Sequence, residues 1–194
     1  MKVTVRMAGA TPLVLHSDRS VDTDDPLTKA IKAITTKKAK GRTEVEESEL
    51  RRLEYHSGLY WDADMGVYIP ARNVLRCFEE AARITKNGKN LSRSMSPLAE
   101  QFPLAHDGPK SADGLAKDPK YVLRVSVRNQ QNRIMRTRPM FRKWELGFEA
   151  ELSEDSGLPY DSLVEIVERA GRSIGLCDAR TLGYGRFVAT VKKG

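Results

Sequence analysis

Cysteine is almost missing from this chain: Cys77 and Cys177 are the only two among 194 residues. Two thiols so far apart in the sequence supply neither a disulfide framework nor the paired spacing of a zinc site, and they suit a reducing compartment. No apolar run approaches the length of a membrane span, and the first residues carry no signal-peptide core. The expectation is therefore a soluble, cytoplasmic protein with no membrane partner. There is no internal repeat and no low-complexity tract. Only three histidines occur, His16, His56 and His106, and none stands beside an obvious catalytic partner. The acidic clusters do not build a cation site either. Asp22, Asp24 and Asp25 suit turns and caps, while Asp62-Ala63-Asp64-Met65-Gly66 opens like a calcium loop but has Asn73 where a bidentate Glu is required. No cofactor is expected.

What the chain has is positive charge. Thirty-three Lys and Arg against 26 Asp and Glu give a formal net charge of +7, which favours a polyanionic partner. The length suits one domain, with room for a sizeable insertion and a real core.

Periodicity gives the elements. Val3, Val5 and Met7 alternate with polar residues, as in a half-buried strand. The segment 17–57 is charged and reads as a helical insertion. Asp25-Pro26 caps one helix, an exposed basic link follows at 37–42, and Thr43 with Glu46 has capping-box spacing for a second helix. Two short strands about an Asp-rich turn are expected over 58–70, then a helix over 71–86 with Val74, Leu75, Phe78 and Ala82 inward. Residues 87–119 show no sustained period and read mostly as loop, with a short extended piece around Phe102 to Leu104. A hairpin with a basic outer side follows, reversing at 128–133. An alternating strand covers 144–152, a helix 160–172, and a final strand 187–191. The order predicts an α+β, ferredoxin-like or RRM-like fold: an antiparallel sheet with helices on one face, a helical insertion, and a single domain over 1–194.

Between the last helix and the last strand lies GLCDARTLGYGRF, residues 175–187. Gly175-Leu176-Cys177, five residues, then Gly183-Tyr184-Gly185, with Arg180 between, resembles the glycine-rich loop of the RAMP superfamily, proteins that bind and process CRISPR RNA. The family has its second glycine where this chain has Cys177, a residue that takes positive φ only at a cost, so the backbone is expected to differ at that corner. IPARNVLRCFEEAAR (69–83) and ATPLVLHS (10–17) are also similar to family sequence. Glycines allow close backbone approach, amide groups can meet phosphate oxygens, and a guanidinium adds charge. The loop is therefore read as flexible, so that its backbone can approach a phosphate chain.

The resemblance implies non-catalytic binding of single-stranded nucleic acid, RNA favoured over DNA, like the backbone-forming subunits of CRISPR effector complexes. It suits a minimal member of that kind, of a size a virus could encode. Copies would line up along the strand, with 17–57 as an arm for a neighbour. The expected binding residues are Gly175, Cys177, Arg180, Gly183, Tyr184, Gly185 and Arg186 in the loop, and Arg72 and Arg76 one turn apart at the start of the 71–86 helix. Arg124 and Arg128 on one strand, Arg136 and Arg138 (with Arg133) on its partner, and Lys37, Lys38 and Lys40 in the exposed link complete the set. Such contacts give affinity without sequence preference. Tyr60, Trp61, Tyr68, Phe141 and Trp144 are stacking candidates if exposed, although most sit in strand patterns that suit a core. Two other readings stand beside this one. Some RAMP relatives cleave RNA with a histidine, which makes a metal-independent endoribonuclease the alternative, with His16 as its acid or base. The third is a protein-interaction module that mimics an effector subunit.

Overall fold

A computed structural model describes residues 1–129, 132–153 and 157–194. Along the chain run β1 (Lys2–Gly9), β2 (Leu13–Val14), α1 (Pro26–Thr35), α2 (Glu44–Gly58), β3 (Trp61–Asp62), β4 (Gly66–Pro70), α3 (Ala71–Ile84) and α4 (Gly88–Ser94). They are followed by β5 (Met95–Pro97), β6 (Gln101–His106), α5 (Ala112–Lys117), β7 (Val122–Asn129), β8 (Asn132–Phe141), β9 (Trp144–Leu152), α6 (Tyr160–Arg169) and β10 (Phe187–Lys193). The chain divides into two compact units. The first holds Met1–Leu13, Asp62–Asp107 and Arg142–Gly194; the second holds Val14–Trp61 and Gly108–Phe141.

The first unit is built on a sheet ordered β10-β1-β9-β6-β4-β3, with β5 also paired to β9. β1 runs antiparallel to both β10 and β9, and β6 antiparallel to β9 and β4. Reading β1, α3, β6, β9, α6, β10 along the chain against the order β10-β1-β9-β6 gives the ferredoxin-like, RRM-like α+β arrangement. Each strand obeys the period of two that its sequence shows. Val3, Val5 and Met7 of β1 and Leu146, Phe148 and Ala150 of β9 are at most 6% exposed. They meet α3 and α6 on one face, where Phe148 stacks on Phe102 at 4.4 Å and lies 6.3 Å from Phe78. The opposite face shows Arg6, Ala8, Glu145, Gly147, Val188 and Thr190 to solvent, along a trough of 450 Å³.

The region read as mostly loop, 87–119, holds α4, β5, β6 and α5. These elements are three to seven residues long, too short to repeat a period, and β6 turns only Phe102 and Leu104 inward. After α6 the helix widens into a π-turn over Ala170–Ile174. Gly171 is required there, because a Cβ would lie 2.1 Å from the Phe187 carbonyl oxygen.

In the second unit α1 and α2 start where their caps predict. Asp25 accepts from Thr28 N at 3.0 Å, and Thr43 and Glu46 form a complete capping box. α2 packs on the β7–β8 hairpin, where β8 also carries β2. Glu54, 6% exposed, joins α2 to β8: it accepts from Arg136 Nη1 at 2.6 Å and from the Thr137 amide at 2.9 Å. Segment 17–57 therefore folds together with the hairpin. The expected reversal at 128–133 includes residues 130 and 131, which lie outside the described residues. No helix among the described residues is long and apolar enough to cross a membrane.

Candidate nucleic-acid interface

The glycine-rich loop is pinned along its length. Leu176, fully buried, donates its amide to Gly185 O at 2.9 Å, and Gly185 donates to Pro12 O at 2.8 Å. Thr11 Oγ1 donates to Gly183 O and accepts from the Arg186 amide, both at 2.9 Å. Arg186 O accepts from Ala10 and Thr11 amides at 2.8 and 3.1 Å. Thr11 is itself held, because its carbonyl accepts from Trp144 Nε1 at 2.9 Å. Trp144 reaches that place only because residue 9 is glycine: a Cβ there would lie 2.2 Å from the indole nitrogen.

This geometry corrects two expectations. The loop is held rather than flexible, and its glycines at 175 and 185 serve its own closure. A Cβ on Gly185 would come within 2.1 Å of Leu176 O, and one on Gly175 within 2.8 Å of Tyr184 O, both at positive φ. Gly183 has φ +86° and open space around it. The backbone at Cys177 keeps the glycine-like conformation, with φ +62°, and so does Ala179 at +56°. Each non-glycine residue in this region costs about 1–2 kcal/mol. The tip, Thr181 to Gly183, faces solvent.

One face of α3 holds the loop through residues spaced i, i+4 and i+7. Asn73 Nδ2 lies 4.0 Å from Cys177 Sγ, Cys77 Sγ donates to Gly175 O at 3.1 Å, and Glu80 receives Arg180 through two bonds of 2.7 and 3.3 Å. Burial pushes both thiols up to about 12, so neither is a thiolate at neutral pH. Glu80 is also approached by Arg76 Nε at 3.6 Å, from a side chain 80% exposed. Arg186 Nη2 donates to Arg180 O at 3.4 Å, while its Nη1 is buried without a hydrogen-bond partner among the described residues. Two guanidinium groups, those of Arg180 and Arg76, thus meet one carboxylate, with Arg186 bonded to the Arg180 carbonyl and exposed Arg72 one turn before Arg76. Tyr184 is half-buried in the loop.

The second unit carries the other expected cations. By register Arg124 pairs with Thr137 and Arg128 with Arg133, which puts Arg124, Arg128 and Arg133 on one face of the hairpin. Arg136 and Arg138, opposite Val125 and Leu123, project to the other face, so the expected single basic side is divided in two. Arg136 is taken up by Glu54, Lys37 by Glu46 and Arg42 by Glu47. Lys38 and Lys40 are exposed in the link between α1 and α2. Two clefts lie between α2 and the hairpin, of 480 and 660 Å³, and Arg51, Arg124 and Thr137 line both. Sequence reasoning missed Arg51, Thr11 and Glu80. Thr11 and Glu80 act through partners far away in the chain, and Arg51 lines clefts that it shares with the distant hairpin, which no local pattern reports.

His16 is exposed in the second unit, where its carbonyl accepts from Tyr60 Oη at 3.4 Å. His56 lies 3.1 Å from Asp113. Tyr60, Phe141 and Trp144 lie in the core, as expected for most of the stacking candidates: they are 6%, 0% and 3% exposed, and Phe141 lies 5.9 Å from Tyr121. Trp61 and Tyr68 are half-buried. Asp62 closes its turn by accepting from the amides of Asp64 and Met65. No group of three or more His, Cys, Asp or Glu gathers among the described residues in a way that could hold a metal ion.

No family model matches the chain. No curated protein matches it either. Among solved structures it matches the crystal structure of Cmr6 from Pyrococcus furiosus, with 13% identity over 98% of each chain and a TM-score of 0.34. At that score the fold assignment rests on strand order alone.

Proposed function

We propose that this chain binds single-stranded nucleic acid, RNA in preference to DNA, through the sugar-phosphate backbone and without cutting it. The observation that carries the reading is the meeting of Arg76 and Arg180 at Glu80, with Arg186 bonded to the Arg180 carbonyl, beside a held loop with an exposed tip. The excess positive charge suits phosphate, and the fixed backbone lets it bind without an ordering cost. Arg72 extends the same surface. In the second unit Arg124, Arg128 and Arg133 share a hairpin face, and Lys38 and Lys40 add charge in the link. The sequence resemblance to RAMP proteins supports RNA as the strand and several copies along it, with 17–57 reaching a neighbouring copy or an effector-type complex.

Labelled single-stranded RNA and DNA of equal sequence, incubated with the protein, test this directly. The expected result is a salt-sensitive shift of both, tighter for RNA, with the strands recovered intact. Cleavage abolished by His16→Ala would establish the endoribonuclease instead. Absence of any shift at low salt would remove nucleic acid from the account.

A further inference from the structure

The 480 Å³ cleft of the second unit has a build that phosphate contacts do not require. Its volume falls within the range of small-molecule sites, about 300–1,000 Å³. Tyr55, Ala116, Pro119 and Val122 supply an apolar lining, and Arg51, Arg52, Lys117 and Arg124 bring positive charge to it. Arg52 is committed to Glu49 through bonds of 2.9 and 2.8 Å. Arg51, Lys117 and Arg124 have no carboxylate within ion-pair distance among the described residues. Tyr55 is 1% exposed, and its hydroxyl has no hydrogen-bond partner among the described residues. A buried hydroxyl left unsatisfied is costly, and a ligand that bonds to it recovers that cost.

The geometry points to a nucleotide-binding pocket: a nucleobase lies against Tyr55, Pro119 and Val122, its edge bonds to the Tyr55 hydroxyl, and its phosphate meets Arg51 and Arg124. A base is the ligand group that offers a flat apolar face and hydrogen-bonding atoms in the same plane, and guanidinium groups serve both its phosphate and its π-face. An acidic peptide would use the cations but leave the apolar lining and the phenol unmatched. Arg51, Arg124 and Thr137 continue into the 660 Å³ cleft, which also carries Arg133, so a strand can run on from the bound nucleotide. The inference rests on the nucleic-acid reading for its strand, and it adds a base contact to what is otherwise backbone binding.

Calorimetric titration of the full chain with AMP, GMP, CMP, UMP, inorganic phosphate and a glutamate hexapeptide tests it, alongside a single-stranded RNA oligonucleotide. At least one mononucleotide should bind at least tenfold more tightly than inorganic phosphate. Arg124→Ala should weaken that binding about tenfold, and Tyr55→Phe, which keeps the ring, three- to tenfold with the protein still folded. Inorganic phosphate binding as tightly as every mononucleotide would reduce the cleft to an anion site and overturn the proposal. So would tighter binding of the hexapeptide, or an unaltered affinity in Tyr55→Phe. Mononucleotide binding without oligonucleotide binding would keep the pocket and refute the backbone reading, while the reverse would refute the pocket alone.

Discussion

The glycine-loop cluster of the first unit and the helix–hairpin clefts of the second hold arginines in opposite ways. At the loop, Arg180 is spent on Glu80 and the backbone around it is closed by its own hydrogen bonds. At the clefts, Arg136 is spent on the buried Glu54, while Arg51 and Arg124 line open space. Formal charge and available charge are therefore different quantities. Arg180 and Arg136 position their surroundings; Arg76, 80% exposed and held to Glu80 only at 3.6 Å, and Arg124 are open to phosphate. A paired arginine removed should cost stability first, and an open one should cost binding first.

The largest effects are expected where the loop closes on itself. Gly185→Ala should destabilise by about 3–4 kcal/mol, from the positive φ together with the clash on Leu176 O. Gly183→Ala, with the same sign of φ and open space, should cost only about 1 kcal/mol. Urea midpoints of the two variants give the contrast, and equal losses would mean that the loop is not held as described.

Next comes the buried carboxylate of the second unit. Glu54→Ala strands the Thr137 amide and the half-buried Arg136, for an expected loss of about 2–3 kcal/mol in the same assay. Hydrogen exchange should quicken in α2 and β8. Smaller and of opposite sign is Tyr55→Phe, which removes an unsatisfied buried hydroxyl and should raise stability by about 1 kcal/mol without ligand. A loss instead would mean that the phenol has a partner.

The two units should behave alike toward acid. Burial lowers His56 in the second unit and His106 in the first below the usual 6.5, against the pull of Asp113 and Asp107. Each folded value lies below the unfolded one, so the unfolded chain takes up protons first as pH falls through about 6.5. The histidine contribution should be complete by about pH 7.5 and decline from there toward pH 5. His56→Gln should flatten part of that decline in thermal melts, and an unchanged slope would show His56 to be freely solvated.

Much of the frame was legible. The alternation of 144–152 became β9 with every second residue buried, and Asp25 and Thr43 cap the helices that they announce. Such signals are local: a period of two, or a side chain reaching an amide three residues on. The other short pieces between 87 and 119 lacked that signal, whereas the extended piece read around Phe102 to Leu104 became β6, a central strand. The site was legible as composition and not as geometry. The glycine spacing marked the loop, but Thr11 and Glu80, which hold it, lie 172 and 100 residues away from Gly183 and Arg180. Strand register, also a long-range property, divided the hairpin arginines between two faces. Cys177 was the residue read most strictly. The loop's surroundings impose positive φ on it in spite of its side chain.

If open guanidinium groups in each of the two units bind a phosphate backbone, the salt dependence of binding must report them. Anisotropy of a labelled single-stranded RNA should be followed from 50 to 400 mM salt for the parent, Arg76→Ala, Arg124→Ala and Arg180→Ala. Each open arginine that meets a phosphate should carry about 0.7 of the slope of log K against log salt. Arg76→Ala and Arg124→Ala should each lower the slope by about that amount while the proteins stay as stable as the parent, whereas Arg180→Ala should lose stability as well. Slopes identical to the parent in both Arg76→Ala and Arg124→Ala would contradict that backbone binding.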